Sequence, residues 1–580
     1  MPIASRETSP TLFAALVKEF PFLRLTWHFA QSILRGGQQD GAIDASLGGL
    51  IGLLALPGVF ITIGLFDKYS SLKRYFLGQA AMDHYQISVP DKYFFIVFSM
   101  AITGLITVWK WDRILPNRQD YANLAPLPLT PRRIFGANLL AVLAVVVVFA
   151  VVVNLGSTLL FPLIVTADTG SLAAALSFMT AHALVVAAAS AFAFFACLLL
   201  LGTMLTLLPP ALFLRASLPA RMAAVAGCVA LLGTSFAVPS YLPAAPAWLG
   251  WLPPVWFLSW NQSLQGRATP AMLEWARLTL PATAGVFVLA LAVYALSYRR
   301  SFVRIPEAAG LARRGSCERW SWLRRGLERW VFLTPFERAT GIFTLRALVR
   351  SETHLILTAG FLALGLVSAA QAASTAWLSP PGILAPSSGW LSLPLILAYF
   401  LVCGVRFAID IPASLEANWV FRSVLAPGAQ PTSMVIRKLV LLGVALFISL
   451  PALIGFTWRW NVFSGVVHAL YVLLLSALLL EFLLLGHRKI PVTCSLPPFE
   501  RQAPLVFLAF CIGFAAFCWG GASAQRAMLL YPTRFVWLAL VTGGAAYALR
   551  EWHRDIPDVD RELLFHDAGT RTFERMELSA

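Results

Sequence analysis

The chain is short of charge. Only 12% of its 580 residues are Asp, Glu, Lys or Arg, about half the share of a soluble globular domain. So few charges cannot coat a soluble surface of this size, and the same composition excludes disordered, collagen-like and coiled-coil chains. The seven cysteines (Cys197, Cys228, Cys317, Cys403, Cys494, Cys511 and Cys518) include no CxxC pair and lie mostly in apolar runs, which excludes a disulfide framework and a zinc site. The eight histidines show no HExxH or HxxxH spacing, so no metal site is expected. No G-x-x-x-x-G-K-[ST] segment is present, so nucleotide binding through a phosphate loop is excluded. The opening residues MPIASRETSP carry no signal-peptide pattern, and none is expected.

What is abundant is apolar sequence. Hydrophobic residues make up 58% of the chain and the mean hydropathy is +0.74. This predicts an all-α fold, a polytopic transmembrane helical bundle lying in the lipid bilayer. At about 20 apolar residues per span, the length allows about a dozen helices. Apolar runs fall near 46–66, 93–109, 136–165, 172–208, 222–238, 278–298, 355–377, 390–405, 434–457, 462–485, 505–518 and 533–549. Those at 390–405 and 505–518 are the shortest.

The formal charge is +16. In such a chain it reads as basic cytoplasmic loops, with no nucleic-acid partner. With the N-terminus inside, 35 of the 44 Lys and Arg fall in inside segments and 9 outside. That split predicts both termini in the cytoplasm. The segment 67–92, with Lys68, Lys73, Arg74 and Lys92, is assigned outside against the trend.

The strongest internal boundary is 299–354, which carries twelve Arg and five Glu. It divides the chain into a six-helix half over 1–300 with an amphipathic start at Thr11–Arg35, a basic linker and interface helix over 301–354, a second six-helix half over 355–549, and a tail over 550–580. The tryptophans Trp320, Trp322 and Trp330 beside arginines suit a helix at headgroup level. The halves read as a distant duplication: Pro131 aligns with Pro431 and Leu139 with Leu439, each pair just before a long apolar helix. Parallel repeats of this kind are a transporter architecture.

The segment Leu127-Pro128-Leu129-Thr130-Pro131-Arg132-Arg133 reads as a helix start at the inner mouth of the third span. Thr130 is placed to cap and Pro131 suits the first helical position. A short surface helix is expected just upstream, over Arg118–Leu127. Read on through Ile-Phe-Gly-Ala-Asn-Leu-Leu, this loop resembles the loop between the second and third helices of ABC-2 type permeases, the membrane subunits of ABC exporters. It departs from that pattern at Asn138, where the family often has Lys; Lys438 stands at the aligned place in the second half. There the Leu-Pro-Leu core is replaced by Ala-Pro-Gly-Ala-Gln-Pro.

The resemblance implies a permease without an ATP site of its own, in the bacterial inner membrane, worked by two copies of a separate ATPase that hold ATP and dock beneath the halves. It implies a coupling loop of Leu127, Pro128, Thr130, Pro131, Arg132 and Arg133, with Pro431, Arg437 and Lys438 in the second half. It also implies a re-entrant pair on the outer side, before the sixth span. The stretch 239–262, where Pro253 and Pro254 sit among Trp248, Trp251, Trp256 and Trp260, is too apolar for a solvated loop and too broken for a span.

Few polar residues fall within the runs. Asn154, His182 and Glu481 are the intramembrane candidates. Glu481 is expected to reach towards Arg488 or Lys489, and His468 to be solvated near the outer end of its span. Two other classes remain open from the residues. One is a secondary transporter of 6+6 design. The other is an integral-membrane glycosyltransferase with a lipid-linked donor, for which Asp67, Asp83 and Asp91 in the first outer loop are the feature to examine.

Overall fold

The computed structural model describes residues 20–34, 83–111, 126–167, 171–311, 321–378, 386–412, 432–485, 490–493 and 503–534, with isolated positions between and beyond them. The described residues are about 90% helical, and no strand occurs among them.

Ten helices are long and apolar enough to cross a membrane. They coincide with ten of the twelve apolar runs. The other two, 46–66 and 533–549, lie largely outside the described residues, so neither the count of twelve nor the duplication follows from the fold. In chain order the helices are α1 (Pro21–Leu34), α2 (Val89–Trp109, entered by a single turn His84–Ile87), α3 (Pro131–Thr166), α4 (Leu172–Leu207), α5 (Pro210–Tyr241), α6 (Pro253–Leu264), α7 (Pro270–Leu311), α8 (Ser321–Trp330), α9 (Pro335–Arg350), α10 (Glu352–Leu378), α11 (Ser388–Ile409), α12 (Thr432–Val444), α13 (Leu450–Arg459), α14 (Val462–Leu483), α15 (Ala503–Phe514) and α16 (Gly521–Leu530).

The outer face of α3 shows why these helices suit lipid. Val147, Val151, Leu155, Leu159 and Leu163 recur every fourth residue and are all exposed. The other face, with Val142, Val145, Val146, Phe149 and Val153, is buried. A helix apolar on all sides belongs in a bilayer or a protein core, and backbone polar groups satisfied within the helix make the crossing possible.

Prolines and wide turns shape the spans. Residues Ala445–Ser449 form a π-helical turn between α12 and α13. It ends just before Pro451, whose ring would collide with the carbonyl four residues back in a regular helix. A second π turn, Ala515–Gly520, joins α15 to α16. Both runs read as short are full spans: α11 is one continuous helix of 22 residues, and the run at 505–518 continues through its π turn to Leu530.

Amphipathic α1 lays Leu25, Phe29 and Ile33 into the core that α3 helps to build. Around this core α2, α4, α5 and α7 pack together. A second core is built from α11, α12, α13, α14 and α16. The two sets meet where α5 runs against α10. At one end of that seam Arg221, 4% exposed at its side chain, reaches Glu352 at 2.8 Å.

The stretch after α5 turns back into the protein. Two 3-10 turns, Leu242–Ala244 and Ala247–Trp251, flank Ala245, which takes a left-handed backbone (φ 43°). Next, α6 packs against α2, α4 and α7, burying Pro254, Val255, Phe257, Leu258, Ser259, Asn261 and Gln262. The Trp256 indole N–H donates to the Gly250 carbonyl at 2.7 Å, and the Thr279 hydroxyl to the Trp256 carbonyl at 2.9 Å. This segment is a half-length helix held inside protein, as its proline and tryptophan content suggested.

Candidate functional site

Two arginines, Arg132 and Arg133, stand in the first turn of α3. The helix starts at Pro131 with Thr130 in an extended cap conformation, but the Thr130 side chain makes no cap hydrogen bond. The fixed φ of Pro131 and its missing N–H define this start; the expected hydroxyl cap does not form. Arg132 and Arg133 are exposed, and neither has a carboxylate partner among the described residues. Pro128 and Thr130 are exposed as well, whereas Leu127 packs against the core beneath. The open face of this loop is therefore Pro128, Thr130, Arg132 and Arg133, with Leu127 as its anchor. The expected short helix over Arg118–Leu127 falls almost entirely outside the described residues.

Asn138 explains how the loop is held. Its side-chain amide donates to the Ile114 carbonyl at 3.1 Å and to the Tyr294 hydroxyl at 2.6 Å. A buried amide thus pins the chain leaving α2 to α3 and α7 at once.

The aligned cations further along are occupied. Arg437 pairs with Glu481 at 2.6 Å, and Lys438 with Glu337 at 2.7 Å. Glu481 thus meets Arg437 on α12; Arg488 and Lys489, its expected partners, lie outside the described residues. Glu337 also completes a capping box at the start of α9, accepting from the Leu333 and Thr334 N–H groups while the Thr334 hydroxyl oxygen accepts from its own. The bond from Lys438, opposed by burial and aided by the backbone donors, holds this carboxylate below the usual glutamate range. Pro431 lies outside the described residues.

The intramembrane polar residues have distinct surroundings. Asn154 donates to the Ala150 carbonyl and to Ser190 Oγ at 3.1 Å, and Ser190 shares a hydrogen bond with Ser99. This chain of small polar groups ties α3, α4 and α2 together. His468 is fully buried, with Nδ1 at 2.8 Å from Gln525 Oε1; the expected solvation is overturned by α16 packing over it. His182 is fully buried, and neither ring nitrogen has a hydrogen-bond partner. Pro253, Pro254, Trp256 and Trp260 lie on inserted α6, Pro254 buried and the others half-buried.

The charge count places Lys92 in an outer segment; in the fold it lies in the first turn of α2 with 0% exposure. Its ammonium donates to Gln265 Oε1 at 2.5 Å and lies 4.7 Å from the centre of the Phe178 ring. The run of apolar residues begins at Tyr93, which hid it. The available signal was Ser88-Val89-Pro90: a proline in the first turn marks a helix starting before Lys92. Nearby, Asp83 caps the preceding turn and pairs with Arg267. Burial raises the Asp83 carboxyl, but the Arg267 bond and the Tyr85 and Gln86 N–H groups bring it net below its ordinary value.

No family model, curated protein or solved structure matches the chain. No group of His, Cys, Asp or Glu fit to hold a metal ion occurs among the described residues.

Proposed function

We propose that this chain is the membrane-spanning subunit of an ABC-type exporter of the bacterial inner membrane, with two six-helix permease halves fused. A separate ATPase drives it, docking at the arginine-rich end, and both termini are cytoplasmic. The observation that carries this reading is the Pro128–Arg133 loop. It is anchored from below by Leu127 and Asn138, it presents two arginines without carboxylate partners among the described residues, and it opens directly into α3. A push on such a loop is delivered to a whole span. The order of parts supports the same reading: an amphipathic α1 beside α3, the loop, four further spans, and a half-helix inserted before the last of them. On this reading Arg221–Glu352 closes the cytoplasmic end of the path between the halves, and rigid-body rocking about the α5–α10 seam opens it. The chain has no catalytic residue of its own, and ATP is held by the partner.

The test is Pro128→Asp, measured by retention of the ATPase during purification from membranes. Pro128 is exposed, and the change leaves the Lys and Arg count untouched, so insertion is preserved. The reading predicts normal abundance of the chain with ATPase retention and ATP-driven export lost. Full retention and full export in the variant would remove the loop from coupling and move an ion-driven 6+6 transporter to first place.

A further inference from the structure

Beyond the loop, one group of side chains at the opposite end of α2 has no role in coupling. Lys92 is the fourth residue of α2, at the end of its first turn, and is fully buried. A lysine taken into a membrane-embedded core is costly unless an opposite charge meets it. Among the described residues no carboxylate pairs with it: Asp83 is bound to Arg267, and Asp91 accepts the Tyr69 hydroxyl. What surrounds the ammonium is the Gln265 amide oxygen and the faces of Tyr85 and Phe178, 5.7 and 4.7 Å from it.

One turn deeper on α4 from Phe178 is His182, boxed by Phe95, Phe161 and Phe178 with ring centres 5.9, 5.5 and 6.5 Å away. Both its nitrogens are buried and unpartnered. The Gln265 amide nitrogen has no partner either, and Asn261, one helical turn earlier on the same face, has none for its amide nitrogen or oxygen. Buried polar groups are ordinarily paired. Here several N–H donors lack acceptors beside one buried lysine that no carboxylate pairs with among the described residues, and the walls around them are aromatic. At the rim, Arg267 lies over the Tyr85 ring at 4.3 Å while paired to Asp83.

We propose that Lys92, Gln265 and His182 form a binding site for an oxyanion, entered past the Arg267–Asp83 pair. A phosphate-type head supplies both what Lys92 lacks in charge and what the amide and imidazole donors lack in acceptors. The head belongs either to a lipid or to a free anion. The site stands whether or not an ATPase works the chain.

The full chain, purified into phosphatidylcholine nanodiscs, is titrated with inorganic phosphate in one arm and with phosphatidic acid in the other, and thermal melting is followed. The wild-type chain is stabilised in at least one arm. Stabilisation by phosphate identifies a free anion, and stabilisation by phosphatidic acid alone identifies a lipid head. Lys92→Met keeps the stem and removes the charge. It weakens the apparent affinity about tenfold or more, the size of one lost charge-assisted bond, and melts no lower than wild type without a probe. His182→Leu, which removes the unpartnered nitrogens and keeps an apolar side chain among the phenylalanine rings, folds and shows the same direction of loss, so the test survives if Lys92→Met does not fold. No stabilisation of the wild-type chain in either arm, or wild-type affinity in His182→Leu, overturns the site.

Discussion

Glu337 joins two kinds of interaction that are usually separate. Its carboxylate caps the backbone at the start of α9 and receives the Lys438 ammonium from α12. A side chain that does both fixes the interface helix to the neighbouring span. Its depressed titration sets a pH signature. A group titrating lower in the folded than in the unfolded chain adds stability above its unfolded value, about 4.3 for Glu, and loses it as pH falls through the folded value. Glu337→Gln is therefore expected to lower stability by about 1–3 kcal/mol at neutral pH, the range for a charged hydrogen bond. The difference from wild type should shrink below the ordinary glutamate range. Melts of the purified chain across pH check this; a difference that stays constant into acid would contradict it.

At the scale of elements, the α5–α10 seam depends on glycine. A Cβ on Gly233 would lie 2.6 Å from Val367 Cγ1, while one on Gly360 would sit at an ordinary 3.6 Å from Val225. Small residues let helices approach closely, as in other membrane interfaces. Valine is stiff in a helix, so Val367 cannot swing aside. Gly233→Ala is thus expected to destabilise the chain by about 1–3 kcal/mol through overpacking. In a Val367→Ala background, where the blocking methyls are gone, the same change should stabilise by up to about 1 kcal/mol through helix propensity. A double-mutant cycle on melting measures the coupling, and additive effects would contradict so close a seam.

Elements were the readable level. Ten apolar runs became ten helices, Pro131 started α3, and the proline–tryptophan stretch became an inserted half-helix. Each of these rests on local chemistry: hydropathy over a span, a fixed φ, a missing N–H. What stayed hidden rests on distant partners. Glu481 meets Arg437 across 44 residues, His468 meets Gln525 across 57, and Lys92 meets Gln265 across 173. A window scan sees none of these, and it placed Lys92 in a loop because a charge at a helix end looks the same as a charge beyond it. Leu127, placed in the coupling loop by resemblance, is half-buried against the core beneath, a contact that only the fold reveals.

For the whole molecule, two packed sets of spans meet along one seam, with the Arg221–Glu352 pair at one end of it. On the proposed reading the chain depends on a separate ATPase, because its own sequence contains no phosphate loop. The most direct measurement is native mass spectrometry of the assembly extracted from its own membrane in mild detergent, with ATP hydrolysis assayed on the same sample. The account predicts one 63.3 kDa chain carrying two ATPase subunits, with hydrolysis lost when those subunits are stripped away. A chain isolated without ATPase subunits that still transports on an ion gradient after reconstitution would contradict it.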